Sequence, residues 1–245
     1  AVFTTNKAQA APVVVSREHL AVSGGIAQAI IVNSGCANAC TGADGERVAR
    51  GMAAITARHL GCETTQVLVA STGVIGVNLK MDSLRTGVPM AAAALSPNGG
   101  ADAAKAIMTT DPFPKDYAVE VQTVAGRFRV GGMAKGSGMI EPRMATMLGF
   151  ITTDAKVAPA VLQQALATAC DATFNAITVD GECSTNDCVF LMASGASGVE
   201  ITRADDPEFL GALIDVCGFL AREIVRGGEG ATKLIDITIR RRFLR

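Results

Sequence analysis

The sequence predicts a mixed α/β fold with helices layered outside sheets. Two patterns point there. Short, β-branched apolar runs recur at 26–33, 66–70 and 147–154, the signature of buried strands. Between them lie longer segments whose apolar residues repeat at helical spacing, most clearly 45–61 and 206–227. Composition supports a packed core: 49% of the 245 residues are hydrophobic and 18% are charged. That length allows one or two domains.

Taken in order, IAQAIIVN at 26–33 predicts a strand, and GCANACTGADG after it a turn-rich connection. Val48, Met52, Ile55 and Leu60 then define a helix over 45–61, with Gly61 as its stop. QVLVA at 66–70 predicts a second strand that runs into STGVIG, a glycine-bearing turn at 71–76. Residues 81–96 read as an alanine-rich helix interrupted by Gly87 and Pro89, followed by a loop, SPNGG, at 96–100. Alternation over 117–130 around Ala125-Gly126 predicts a hairpin. GGMAKGSG at 131–138 offers few side chains, so its backbone is suited to approach something closely. MLGFITTD at 147–154 predicts a strand ending at Asp154, which is placed to cap a helix over 157–173. The last helix has an N-cap candidate in Asp206, proline at the first position in Pro207, and acidic Glu208 in the first turn. Phe209, Leu210, Leu213, Ile214, Cys217, Leu220 and Ile224 form its wide apolar face and Gly227 its stop. LIDITI at 234–239 predicts a closing strand.

Charge and cysteine usage exclude several function classes. Lys+Arg is 22 and Asp+Glu is 23, a balance that argues against nucleic acid or an anionic membrane as main partner. The apolar stretches Ile26–Val32 and Met90–Leu95 fall far short of the ~20 residues that span a bilayer. The opening AVFTTNKAQAAPVVV lacks the charged start and apolar run of a signal peptide. The seven cysteines are scattered without CxxC, so reduced thiols in a cytoplasmic protein are expected. His19 and His59 have no second ligand at metal spacing, so no metal site is expected. His59 closes an amphipathic helix, where a solvated histidine is the simpler reading.

The densest cluster of unusual residues is KGSGMIEPRMATMLGFITTD at 135–154. A threonine hydroxyl needs a base beside it to act as a nucleophile, and a threonine at a chain terminus carries one in its own α-amino group. That amine has a pKa of about 7.7–8, near working pH. An internal threonine gains it if the preceding bond is cut. Thr146 Oγ would attack the Ala145 carbonyl, move the acyl group from nitrogen to oxygen, and let water release it. By composition alone, an Ala-Thr pair is common and reads first as a buried structural threonine.

This segment resembles the self-cleavage segment of the ornithine acetyltransferase family, the glutamate N-acetyltransferases of the arginine pathway. The segments VFTTNKAQAAPV (2–13), VNSGCANACTG (32–42), ASTGVIG (70–76), IMTTDPFPK (107–115), VDGECSTND (179–187) and GEGATK (228–233) agree with it in the same order. The resemblance implies a layered αββα-like sandwich, similar to N-terminal-nucleophile hydrolases but of distinct topology. It implies that Thr146 cleaves the Ala145-Thr146 bond and then carries acetyl, giving parts 1–145 and 146–245 that stay associated in a higher oligomer. It matches Thr72 and Gly73 to an oxyanion hole, where a hydroxyl and a glycine N–H point at one developing negative oxygen. Lys135 and Thr109 match substrate-binding positions, the lysine suited to a carboxylate. Glu229 matches a position suited to a substrate ammonium. On their own, STGVIG and Thr109-Thr110 read as turns, Lys135 as a solvated lysine and Glu229 as a surface carboxylate.

The expected reaction moves acetyl from N2-acetylornithine to glutamate through acetyl-Thr146. No cofactor is implied, although acetyl-CoA is an alternative acetyl donor among some relatives. Two other readings stand beside it: a related self-processing aminopeptidase or amidase, and a catalytically incomplete fragment that acts by associating with other chains. The second follows from departures from the family. Family members have a segment before VFTTN and continue past GEGATK, where an asparagine and a threonine join the substrate site, whereas this chain ends in IRRRFLR. Arg240, Arg241, Arg242 and Arg245 read as a solvated tail. Cys183 stands where the family usually has a hydroxyl or carboxylate, and reads as a core or near-site thiol.

Overall fold

The computed structural model describes residues 1–141 and 147–238. In chain order the strands and helices are β1 (Val2–Phe3), α1 (Ala11–Val22), β2 (Ala29–Cys36), α2 (Gly42–Leu60), β3 (Val67–Val74), α3 (Met81–Ala93), α4 (Gly100–Ala106), β4 (Lys115–Thr123), β5 (Gly126–Lys135), β6 (Leu148–Thr153), β7 (Lys156–Val157), α5 (Pro159–Ala172), β8 (Cys188–Ala193), β9 (Glu200–Ile201) and α6 (Pro207–Arg226).

A five-stranded mixed sheet has the order β1-β8-β6-β5-β4, and β2 and β3 form a separate parallel pair. The two sheets lie face to face, because alternate residues of each strand belong to different cores. Val67 and Val69 of β3 join Val48, Met52 and Val15 of the α1–α2 layer. The intervening Leu68 and Ala70 pack with Leu148, Phe150, Cys188 and Phe190 of the large sheet. On that sheet's other face, Ile151, Val189, Phe128 and Val130 pack with Leu166 of α5 and with Phe209, Leu213 and Leu220 of α6. The architecture is therefore an αββα sandwich, as the motifs imply.

The helix α6 follows its sequence signals. Asp206 accepts the Phe209 N–H at 2.9 Å, a cap contributing about 1 kcal/mol. Phe209, Leu213, Leu220 and Ile224 are fully buried, each contributing ~1.5–3 kcal/mol by leaving water.

Other expectations need correction. The segment Ser71–Val74 is strand, because β3 stays paired with β2 through Ser34–Thr72 and Gly35–Gly73. Asp154 does not cap the helix that follows: its Oδ1 accepts the Arg129 N–H, and α5 starts at Pro159 after the short β7. The 234–238 stretch forms no strand; Ile235 and Ile237 face solvent and Asp236 pairs with Arg222 at 2.7 Å. The strand expected from residue 26 is β2 and starts at Ala29, leaving Ile26 exposed in the loop. The 81–96 helix ends at Ala93, and α1, α4 and β8 are additional elements. Cys183 is exposed and so is no core thiol. His59 is solvent-facing at the end of α2, as expected. Cys36, Cys40, Cys62, Cys170, Cys188 and Cys217 are free thiols.

Candidate active site

Thr72, Gly73, Thr109, Lys135 and Glu229 line one cleft of about 840 Å³, together with Ser34, Ser137, Asp180 and Glu182. Ala145 and Thr146 lie outside the described residues, as do Ile239 and the four terminal arginines. The described flank of Thr146 adjoins a residue that lines the cleft. Leu148, two positions later, pairs with Lys135 on β5 and with Cys188 on β8.

Backbone geometry shapes the cleft first. Gly73 has φ +128° and sits opposite Gly35 on β2. A Cβ on Gly73 would overlap the Gly35 carbonyl carbon, so only glycine lets the two strands close here. The cost of that φ for an L-residue places glycine directly after Thr72. Gly138 presses against the Glu229 carboxylate, whose carbon would lie 2.9 Å from a Cβ at 138. The loop after β5 and the chain after α6 are tied together there: the Glu229 N–H donates to Ser137 O at 2.7 Å, and the Ser137 hydroxyl to Gly227 O at 2.6 Å.

Lys135 is the centre of the polar network. It is 3% exposed, and its Nζ donates to Thr72 Oγ1 and Thr109 Oγ1, both at 3.0 Å. Burial lowers its pKa, and nearby Lys115 adds to the effect, while Asp111, Asp187 and Glu229 act against it. With a lone pair of Thr72 Oγ1 held by Lys135, the Thr72 hydrogen is free to donate elsewhere.

Behind Lys135 lies a buried ion pair that the sequence reading did not single out. Lys115 Nζ and Asp111 Oδ1 are 2.6 Å apart, with both side chains inaccessible. Asp111 also accepts the Gly136 N–H at 2.7 Å and the Thr109 N–H at 3.2 Å. Burial pushes Asp111 up, but the Lys115 hydrogen bond, the Gly136 N–H and Lys135 together hold it below its ordinary value. Asp111 thereby fixes the backbone at both hydroxyl and ammonium: beside Thr109 and directly after Lys135. The signal was present in TTDPFPK, where an acid and a lysine stand four positions apart, though only the fold shows both buried.

Among the described residues the cleft is lined by three carboxylates, Asp180, Glu182 and Glu229, and by the one ammonium of Lys135. Asp180 is already committed to backbone, accepting the Ile140 N–H at 2.7 Å. Glu182 and Glu229 are exposed lining residues. Among the described residues no cluster of His, Cys, Asp and Glu is arranged to hold a metal ion. No helix among them is long and apolar enough to cross a membrane.

Comparison with known proteins places the chain. The ArgJ family model matches residues 1–242. The arginine biosynthesis bifunctional protein ArgJ of Symbiobacterium thermophilum is 52% identical over 242 residues, covering 98% of this chain and 60% of that protein. The chain thus spans about 60% of the length of the curated relatives it matches. Among solved structures, the arginine biosynthesis bifunctional protein of Bacillus halodurans aligns with a TM-score of 0.54 and 42% identity over 60% of this chain and 75% of that one. The ornithine acetyltransferase of Mycobacterium tuberculosis, solved in complex with ornithine, aligns with a TM-score of 0.54 and 39% identity over 60% of this chain and 76% of its own. The chain belongs to the ArgJ family, the ornithine acetyltransferases that its motifs resemble.

Proposed function

We propose that this chain supplies the nucleophile and oxyanion site of an acetyltransferase that moves acetyl from N2-acetylornithine to glutamate in arginine biosynthesis. The observation that carries the reading is the strand register. It sets Leu148, two residues past Thr146, beside Lys135, whose ammonium holds the Thr72 hydroxyl next to Gly73. Relatives named for arginine biosynthesis, and one solved with ornithine, support the substrate class.

In self-cleavage, Thr146 Oγ attacks the Ala145 carbonyl carbon, the peptide C–N bond breaks, and an ester forms on Thr146. Water hydrolyses that ester, leaving a carboxylate on Ala145 and a free amine on Thr146. In transfer, the Thr146 amine takes the proton from its own Oγ, which attacks the acetyl carbonyl of N-acetylornithine. The oxyanion meets the Thr72 hydroxyl and the Gly73 N–H. The C–N bond then breaks, ornithine leaves with the proton, and acetyl-Thr146 remains. The amine of glutamate attacks the ester carbonyl, the bond from the acetyl carbon to Thr146 Oγ breaks, the proton lost by the attacking amine returns to Oγ through the Thr146 amine, and N-acetylglutamate departs. Glu229 meets a substrate ammonium, and Lys135 with Thr109 the substrate's carboxylate end. Parts 1–145 and 146–245 stay together because β6 lies between β5 and β8 in one sheet. We assign the mature enzyme to the cytoplasm and to a higher oligomer, with no cofactor beyond acetyl-CoA as an alternative donor.

Incubating the protein with N-acetylornithine alone tests the reading. One acetyl group is expected on the 146–245 fragment, and glutamate is expected to remove it as N-acetylglutamate. Acetyl on any other residue overturns the mechanism, and release by water at the same rate with or without glutamate makes the protein a hydrolase.

A further inference from the structure

We propose that Asn186 and Asp187 are positioning residues that clamp the two halves of the reaction centre, Asn186 on the oxyanion strand and Asp187 on the nucleophile strand. The proposal rests on the reading of Thr146 as the nucleophile.

The segment Ser184–Asp187 runs between the sheets and is buried throughout. The Asn186 amide donates from Nδ2 to Ala37 O at 2.6 Å and to Ser71 O at 2.9 Å. Ser71 O belongs to the peptide plane that leads into Thr72, so this bond sets the angle at which the oxyanion strand presents Thr72 and Gly73. The Thr185 hydroxyl donates to Asn186 Oδ1 at 2.7 Å, which fixes the amide with its NH₂ toward the two carbonyls. The adjacent Asp187 faces the other way. Its Oδ1 accepts the Met147 N–H at 2.8 Å, and that N–H belongs to the peptide plane leading out of Thr146. The Met147 carbonyl is held as well, by the Cys188 N–H at 3.4 Å. Two neighbouring side chains therefore hold one peptide plane on each side of the reacting centre, and the short link between them fixes the spacing.

Asp187 suits this task as a neutral acid. It is fully buried, and its Oδ2 has no hydrogen-bond partner among the described residues, a costly place for a charge. Burial pushes its carboxyl well above the ordinary range, with the Met147 N–H, Ser184 and Lys135 pulling the other way. A neutral acid and an amide offer Met147 the same acceptor, so asparagine can replace the aspartate in a clamp but not in a base.

The test is the rate of self-cleavage in the full chain carrying Asp187→Ala, Asp187→Asn or Asn186→Asp, with the melting temperature of each followed alongside. Misplacing reacting groups by ~1 Å can cost about a hundredfold. Asp187→Ala and Asn186→Asp are therefore expected to cleave roughly ten- to a hundredfold more slowly. Asp187→Asn is expected to recover most of the loss seen in Asp187→Ala. Equal slowing in Asn and Ala variants would show that an ionised carboxylate is required, and would overturn the clamp. Parental rates in Asp187→Ala and Asn186→Asp would overturn it too. If Asp187→Ala does not fold, the opposite behaviour of the two isosteric variants, Asp187→Asn and Asn186→Asp, decides. If the parent chain does not cleave, it is the Thr146 reading that fails. Hydrogen exchange at the Met147 amide then tests the clamp separately: protection in Asp187→Asn equal to that in a variant lacking the acceptor overturns it, and protection retained supports it.

Discussion

Lys135 Nζ stands 3.0 Å from the Thr72 hydroxyl oxygen, across the junction between the two sheets. The contact joins β5 of the large sheet to β3 of the small pair, so the Thr72 hydroxyl, the proposed oxyanion donor, is oriented by the opposite layer. Thr72→Val removes the hydroxyl while keeping the shape. It is expected to slow both self-cleavage and acetyl transfer by about 10²–10³, the usual cost of one oxyanion donor. Thr72→Ser is expected to restore most of that rate. Rates measured by quenched mass analysis that stay at the parental level in Thr72→Val would remove Thr72 from the oxyanion role.

Gly73→Ala should destabilise the fold as well as the site. The positive φ alone costs ~1–3 kcal/mol for an L-residue, and the methyl meets the β2 backbone. Urea unfolding should show a lower midpoint; an unchanged midpoint would mean that β2 and β3 tolerate separation there.

Asp111→Asn leaves Lys115 buried without its counter-charge. Breaking one partner of a buried pair typically costs about 3–5 kcal/mol. The pH dependence has a defined sign. Because Asp111 is held below its ordinary value in the fold, its contribution is full above the unfolded carboxylate pKa of about 3.9 and is lost as pH falls toward the lower folded value. Asp187, raised by burial, acts with the opposite sign above that range and is common to both proteins. The difference in stability between parent and Asp111→Asn should therefore shrink below about pH 4. A difference that is constant from pH 7 to pH 3 would contradict the assignment.

Glu229→Gln tests the ammonium contact. Losing a hydrogen bond to a charged group costs about 1.5–3 kcal/mol, or roughly ten- to a hundredfold in binding. Steady-state kinetics should show KM for N-acetylornithine raised by that factor and kcat changed much less. An unchanged KM would return Glu229 to a structural role against Gly138.

The local signals that were legible in the sequence were those with a strong covalent or capping cause. Asp206, Pro207 and Gly227 delimited α6, and the apolar runs ending at Ala70 and starting at Met147 marked two strands. The helix α1 was hidden because its APVVVSREHLAV sequence is β-branched at the start and its helix is set by packing of Val15 and His19 on β3, where His19 Nδ1 meets Val67 O at 2.8 Å. β8 was hidden because CVFLMA, although bounded by the turn formers STND and SG, is too short for periodicity to separate strand from helix; pairing with β6 and β1 makes it a strand. For the site, the individual positions came from motif resemblance. Their convergence did not, since Thr72, Lys135 and Glu229 are brought together by sheet stacking over long sequence separations. Asp111, Asn186 and Asp187 are singled out only by their burial and hydrogen bonding, which a sequence does not display.

The central claim is that Thr146 becomes a chain terminus. Mass analysis of the folded, purified protein after denaturation tests it most directly. Two fragments corresponding to 1–145 and 146–245 are expected from the parent, and a single chain from Thr146→Ala. An intact parent chain, or cleavage of Thr146→Ala at the same bond, would contradict the account.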